Sequence, residues 1–263
     1  RYNHTASSAK LGQLVGWTKG DLSIFETVLP LVYGLSVFFN GPLADRIGGK
    51  KAFLIGAVGV VIANFAFGGL LSVVHAPAVW AKNAAGESVL VSSAVLGGGF
   101  NPKSLLATLA AIWGVNGYFQ SFGALAIVKV NAQWFHVKER GSFSGVFGVL
   151  IRFGLILAFS VVPLLTAKFG LRAAFWVPGA AVAVLFILNS LLVENSPEEA
   201  GFPPVDVGEG GGADDGAKVD LLGVLKKVFA SPAAWFIAVG SMMIGMVRRS
   251  VVDAWWPNYF AET

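Results

Sequence analysis

The 263-residue chain contains no cysteine, which excludes disulfides and thiolate metal sites and leaves the compartment open. Charge is scarce too. Asp, Glu, Lys and Arg together make up 13% of the residues, against roughly 25% in a typical soluble domain. A water-exposed surface of this size needs more charge than that, so a soluble domain is excluded. The three histidines, His4, His75 and His136, lie far apart and show no metal-ligand spacing, so no metal is expected. Gly208-x-Gly210 has no preceding strand and is not a nucleotide loop. No cofactor and no nucleic-acid partner are expected, and no nucleophile set argues for an enzyme. There is also no charged leader followed by an apolar run and a cleavage site.

Apolar residues fill the place of charge, at 55% of the chain. Runs at 22–43, 52–74, 105–128, 142–167 and 173–193 each reach the length that spans a bilayer, about 20 residues. A sixth begins near Trp235 and continues to about Phe260. A β-barrel would show shorter, alternating segments. The pattern predicts an all-α membrane protein embedded in a lipid bilayer. The opening residues, "RYNHTASSAKLGQLVGW", are too polar for a whole span, so the first helix is expected to be truncated and the chain a fragment of something longer.

Helix starts are marked by Thr18 with Asp21, by Asn101 with Pro102, and by Ser231 with Pro232. The Gly-rich acidic stretch 194–219 reads as a flexible linker. Asp220 then caps "LLGVLKKVF", an amphipathic segment suited to the membrane interface. Three parts follow: a bundle over 1–193, a linker with its interfacial helix over 194–231, and a further helix over 232–263. Arg46, Lys50 and Lys51 crowd one short loop, and Lys138 and Arg140 another. The positive-inside rule puts these loops and the linker on the cytoplasmic side, despite Lys10, Lys19, Lys82, Lys103, Lys168 and Arg172 opposite. The loop over 75–101 is then external, without recognisable chemistry.

Two segments carry the function. The first is "GPLADRIGGKK", residues 41–51. Its glycines, Gly41 and Gly48 among them, allow a tight turn. Asp45 suits a helix N-terminus or a basic partner, while Arg46 and Lys50 hold the loop at an anionic membrane face. The segment resembles the signature loop between helices two and three of the major facilitator superfamily, which implies a role in gating.

The second is "MVRRSVVDAWWPNYF", residues 246–260. A charge at the bilayer centre costs roughly 2.5–3.5 kcal/mol on insertion scales, so arginines there mark function or a partner. Arg248 and Arg249 diverge by about 100° around a helix. Arg249 can pair with Asp253 four residues on, and Arg248 can snorkel or meet a neighbouring helix. Arg152 also lies deep in its span, where Glu26 or a backbone carbonyl could satisfy it. Cations outnumber acids at this depth, so a cavity lined by them attracts anions.

These stretches, with "NGYFQSFG", "QWFHVKERGSFSGVF", "NSPEEAGFPPVD" and "RYN" followed by "GWTKGDL", resemble the organophosphate:phosphate antiporter family. The resemblance implies a truncated major facilitator fold: a partial helix one, helices two to six, a cytoplasmic linker and helix seven. It implies that Arg1 and Arg249 clamp a phosphate from opposite bundles, a task suited to the guanidinium fork. Tyr33 matches a tyrosine near the substrate. Gln120 is a further polar candidate, because it shares a helical face with Asn116. Where the family carries a lysine four residues after the tyrosine, this chain has Val37. Where it carries a histidine on helix five, this chain has Ile151, beside Arg152. Arg152 is a candidate for the lost cation. The implied partners are a small anionic substrate and the remaining C-terminal helices, in a bacterial inner membrane. Exchange of an organic phosphate for phosphate, sugar-phosphate sensing without flux, and transport of a non-phosphate anion all remain open. The isolated piece is not expected to transport.

Overall fold

The computed structural model describes residues 2–83, 86–208, 223, 226 and 229–247. The chain divides into two units, 1–208 and 209–263. In the first unit, α1 (Tyr2–Val15) leads through a short turn into α2 (Lys19–Ile47). Thr18 and Asp21 form a reciprocal capping box at the start of α2, as the sequence predicts. Only Gly48 separates α2 from α3 (Gly49–Leu70). A single 3-10 turn (Leu71–Val73) then precedes four short strands, β1 (Val74–Ala76), β2 (Val79–Lys82), β3 (Ser88–Ser92) and β4 (Val95–Leu96). The longest helix, α4 (Pro102–Trp134), starts on an Asn101 capping box with Pro at its first turn. α5 (Arg140–Phe169) and α6 (Ala173–Leu192) follow. In the second unit, α7 (Pro232–Val247) begins at the expected Ser-Pro pair.

Four helical stretches, Lys19–Ile47, Gly49–Val73, Arg140–Phe169 and Ala173–Leu192, are long and apolar enough to cross a membrane. Their outward faces stay apolar: Phe39 and Leu192 are each 76% exposed. That is untenable in water over so large an area and ordinary in lipid. The chain is a multi-pass, predominantly helical membrane protein. The expected fifth span, α4, is less apolar because its polar residues turn inward. Asn116 and Ser121 are fully buried on it. Asn40 of α2 donates to the Ser121 hydroxyl at 2.7 Å. Gly117 lets the two helices meet, since a Cβ there would stand 2.7 Å from the Leu29 carbonyl oxygen.

The core lies between α1, α2, α3, α4 and α6. Phe67 stacks on Phe175 at 4.2 Å, with Phe25 and Trp113 around them. Asn3 donates to Asn64 at 3.1 Å and to the Ala174 carbonyl at 3.0 Å, which ties α1 to α3 and α6.

The segment after α3 has structure that the sequence reading does not assign. β1 pairs with β4 and β2 with β3, both antiparallel. They cover the end of α1, whose last carbonyls lack helical partners. Ala78 N–H donates to Leu14, Ala94 N–H to Val15 and the Trp80 indole to Gln13. At the opposite end, Trp134 Nε1 donates to the Glu194 carbonyl at 3.1 Å, so the exits of α4 and α6 meet there. The stretch expected as free linker from 194 is held in its first part: Val137 N–H donates to the Val207 carbonyl at 3.1 Å. Most of the expected interfacial helix lies outside the described residues.

Candidate functional site

The segment read as a loop, 41–51, is mostly helix. Gly41, Asp45 and Arg46 belong to the last turns of α2, and Lys50 to the first turn of α3. Gly48 alone leaves the helix, at φ 86°, a backbone that side chains avoid. A Cβ on Gly41 would meet open space, so the turn does not need that glycine. Gly49 is the glycine of this segment that serves close helix approach. Its Cβ would stand 2.7 Å from Val130 and 3.1 Å from the Ala126 carbonyl, so it sets the approach of α3 to α4.

Two of the segment's charges are paired. Asp45 pairs with Lys129 of α4 at 2.7 Å, the basic partner expected for it. Lys50 Nζ meets Glu194 at 2.9 Å. The first N–H groups of α3 have no helical partner, and Gly48 has no side chain to cap them. Asn195 supplies the cap from the exit of α6, accepting the Lys50 N–H at 2.7 Å. Its side-chain amide and its backbone N–H both donate to Glu199. These two bonds, then the charges of Lys50 and Lys51, hold the Glu199 carboxyl below the ordinary glutamate range. A polar cavity of about 600 Å³ lies among these side chains.

The candidate anion ligands are spread over separate helices. Tyr33 is half-buried on α2. Gln120 donates to Asn116 at 2.6 Å, within the shared face that the spacing predicts. Asn116 itself is wholly buried, so Gln120 is the more accessible of the two. Arg152 is exposed and, among the described residues, makes no hydrogen bond or ion pair. The expected pairing with Glu26 or a carbonyl is therefore not formed. α5 buries only Val162 and Thr166, which leaves its Arg152 face uncovered in this unit. Arg1, Arg248, Arg249 and Asp253 lie outside the described residues.

One cluster escapes sequence reasoning. His4, 1% exposed, sits with its Nδ1 3.8 Å from Glu26 Oε1. Thr5 donates to that same oxygen at 2.9 Å. The available signal is an ionisable pair in two apolar helices, but its members stand 22 positions apart and nothing in the spacing joins them.

The family model described as Major Facilitator Superfamily matches residues 3–263. The chain is 22% identical to "Membrane sensor protein UhpC" of Salmonella typhimurium, over 94% of this chain and 49% of that protein. It is 25% identical to "Probable hexose phosphate transport protein" of Chlamydia pneumoniae, over 95% and 50% respectively. It is 24% identical to "Glycerol-3-phosphate transporter" of Bacillus subtilis, over 94% and 50%. The chain thus spans about half the length of these curated relatives. No solved structure matches it.

Proposed function

The chain belongs to the major facilitator superfamily, and on that premise we propose that it forms the first half, with the seventh helix, of a carrier for a small organic phosphate. The observation that carries this reading is similarity over some 94% of the chain to proteins named as hexose phosphate and glycerol-3-phosphate transporters. The parent exchanges its substrate for inorganic phosphate by alternating access, two bundles rocking about a site at their interface. No covalent chemistry is involved. Residues 1–193 form one bundle, 194–231 a cytoplasmic linker, and 232–263 open the second.

In this reading Arg1 and Arg249 grip the anion from opposite bundles, and Tyr33 and Gln120 add hydrogen bonds. Arg152, exposed on α5 and without a hydrogen bond or ion pair among the described residues, joins them in this reading, because a free guanidinium suits an anion. The Asp45–Lys129 and Lys50–Glu194 pairs, with the Asn195 cap, close one end of the bundle and serve as its gate.

The test is uptake of radiolabelled glycerol 3-phosphate or hexose 6-phosphate into phosphate-loaded vesicles carrying the full-length parent. Saturable uptake that requires internal phosphate, and falls at least tenfold in Arg249→Gln and Arg1→Gln, supports the reading. Uptake indifferent to both substitutions overturns the clamp. A second reading has its own support, because a relative is named as a membrane sensor. Ligand binding without flux would select it.

A further inference from the structure

His4 is an unusual histidine. It is 1% exposed, yet among the described residues neither ring nitrogen has a hydrogen-bond partner. A neutral imidazole carries one donor and one acceptor, and leaving both unmet in a dry interior is costly. A purely structural histidine would be satisfied by neighbours. The surroundings of this one suit a cation instead. Glu26 Oε1 stands 3.8 Å from Nδ1, held by the Thr5 hydroxyl at 2.9 Å. The rings of Phe25, Trp113 and Phe67 lie 4.5, 5.2 and 6.0 Å from the imidazole centre. A carboxylate and several aromatic rings are partners that a cation can use.

We propose that His4 and Glu26 form a proton-binding site inside the bundle. In the loaded state the proton sits on the imidazole, with Nδ1–H directed at the Glu26 carboxylate. In the empty state the neutral ring stays in its aromatic cage and the contact loses its charge on one side. Histidine is the side chain fitted to make this change near neutral pH.

No other described ionisable group crowds the site. From α2 the facing acid is Glu26. The basic residues of α3, Lys50 and Lys51, lie near the start of that helix, whereas Phe67 lies near its end. Those of α4 are Lys103 and Lys129, at its two ends. α5 contributes Arg140, Arg152 and Lys168 along its length, and meets α1 through Thr166, which accepts from Lys10 at 2.8 Å. α6 carries no ionisable residue. Arg1 precedes His4 by three positions in the sequence. A proton taken up beside the proposed anion ligand would make anion handling pH-dependent. That consequence rests on the carrier reading, but the proton site does not.

The experiment is a ring-nitrogen NMR titration of the full chain in lipid nanodiscs with labelled histidine, assigned by replacing His75 and His136. The expected result is that the His4 nitrogens pass between imidazolium and neutral shifts within about pH 5–9. In Glu26→Gln the midpoint should fall by about one pH unit or more, a tenfold loss of proton affinity. A His4 ring that stays neutral across that range overturns the site, as does an unchanged midpoint in Glu26→Gln. Should that variant not reconstitute, the parent chain decides: a ring neutral at the acid end sinks the proposal, and an imidazolium there supports it. None of these readings requires transport.

Discussion

The side-chain oxygen of Asn195 accepts the backbone N–H of Lys50 at 2.7 Å, across 145 positions of chain. One residue from the exit of α6 thereby finishes the start of α3. Asn195→Ala would strand that N–H at a helix start, where lost side-chain caps cost about 1 kcal/mol. Thermal unfolding of the purified chain should show a lower midpoint. Asn195→Asp keeps the acceptor but sets a carboxylate against Glu199 in place of the amide that donates to it, so it should recover only part of the loss.

The Asp45–Lys129 pair separates gating from stability. Asp45 is 62% exposed and Lys129 33%. A double-mutant cycle with Asp45→Asn and Lys129→Met should return a coupling below about 1 kcal/mol, as for other surface pairs. If the pair gates, transport by the parent should fall severalfold in either single variant. The charge-reversed double variant should recover part of it.

The contact of α2 with α4 depends on a missing side chain. Gly117→Ala would place a Cβ 2.7 Å from the Leu29 backbone oxygen, which cannot swing aside. Overpacking of this kind costs roughly 1–3 kcal/mol. On the same helix a Cβ at Gly123 meets nothing within 4 Å. Gly123→Ala should be neutral or gain up to about 1 kcal/mol from helix propensity. Unfolding of the two variants side by side checks both expectations.

Glu199 gives a pH dependence with a definite sign. Its carboxyl lies below the ordinary glutamate range, first because the Asn195 side-chain amide donates to it, then because the Asn195 N–H does. A depressed folded-state carboxyl contributes stability that is present above its unfolded value and lost as pH falls through the folded one. Acidification should therefore release Asn195 below the range where free glutamates titrate. Carbon-13 NMR of labelled glutamate should place Glu199 below the ordinary glutamate range, and Asn195→Ala should raise it.

Local signals were legible in the sequence. Thr18 with Asp21 and Asn101 with Pro102 announce helix starts through contacts within one turn, and the structure has both. The motif at 41–51 was legible as a special segment but not as helix, because Gly, Asp and Lys also read as turn chemistry. Only the positive φ of Gly48 breaks the run. Gly117 was not singled out in the sequence, since its close approach depends on a neighbour brought from elsewhere. The Asn195 cap and the His4–Glu26 pair join positions far apart, so no window of sequence holds both members. The strands at 79–82 (VWAK) and 88–92 (SVLVS) do not alternate polar and apolar residues, and each is too short to stand out between long apolar runs.

The strands that cover α1 also bear on the order in which the chain can be built. The last carbonyls of α1 are met by Ala78, Trp80 and Ala94, which are synthesised more than sixty residues later. Until the ribosome has released that segment, the end of α1 can only be satisfied by water or by fraying. Sequence-distant contacts of this kind are paid for late, after the intervening loop has closed. α1 is therefore finished after helices that follow it in the chain: its end is fixed only once α2, α3 and the strands beyond them have been made.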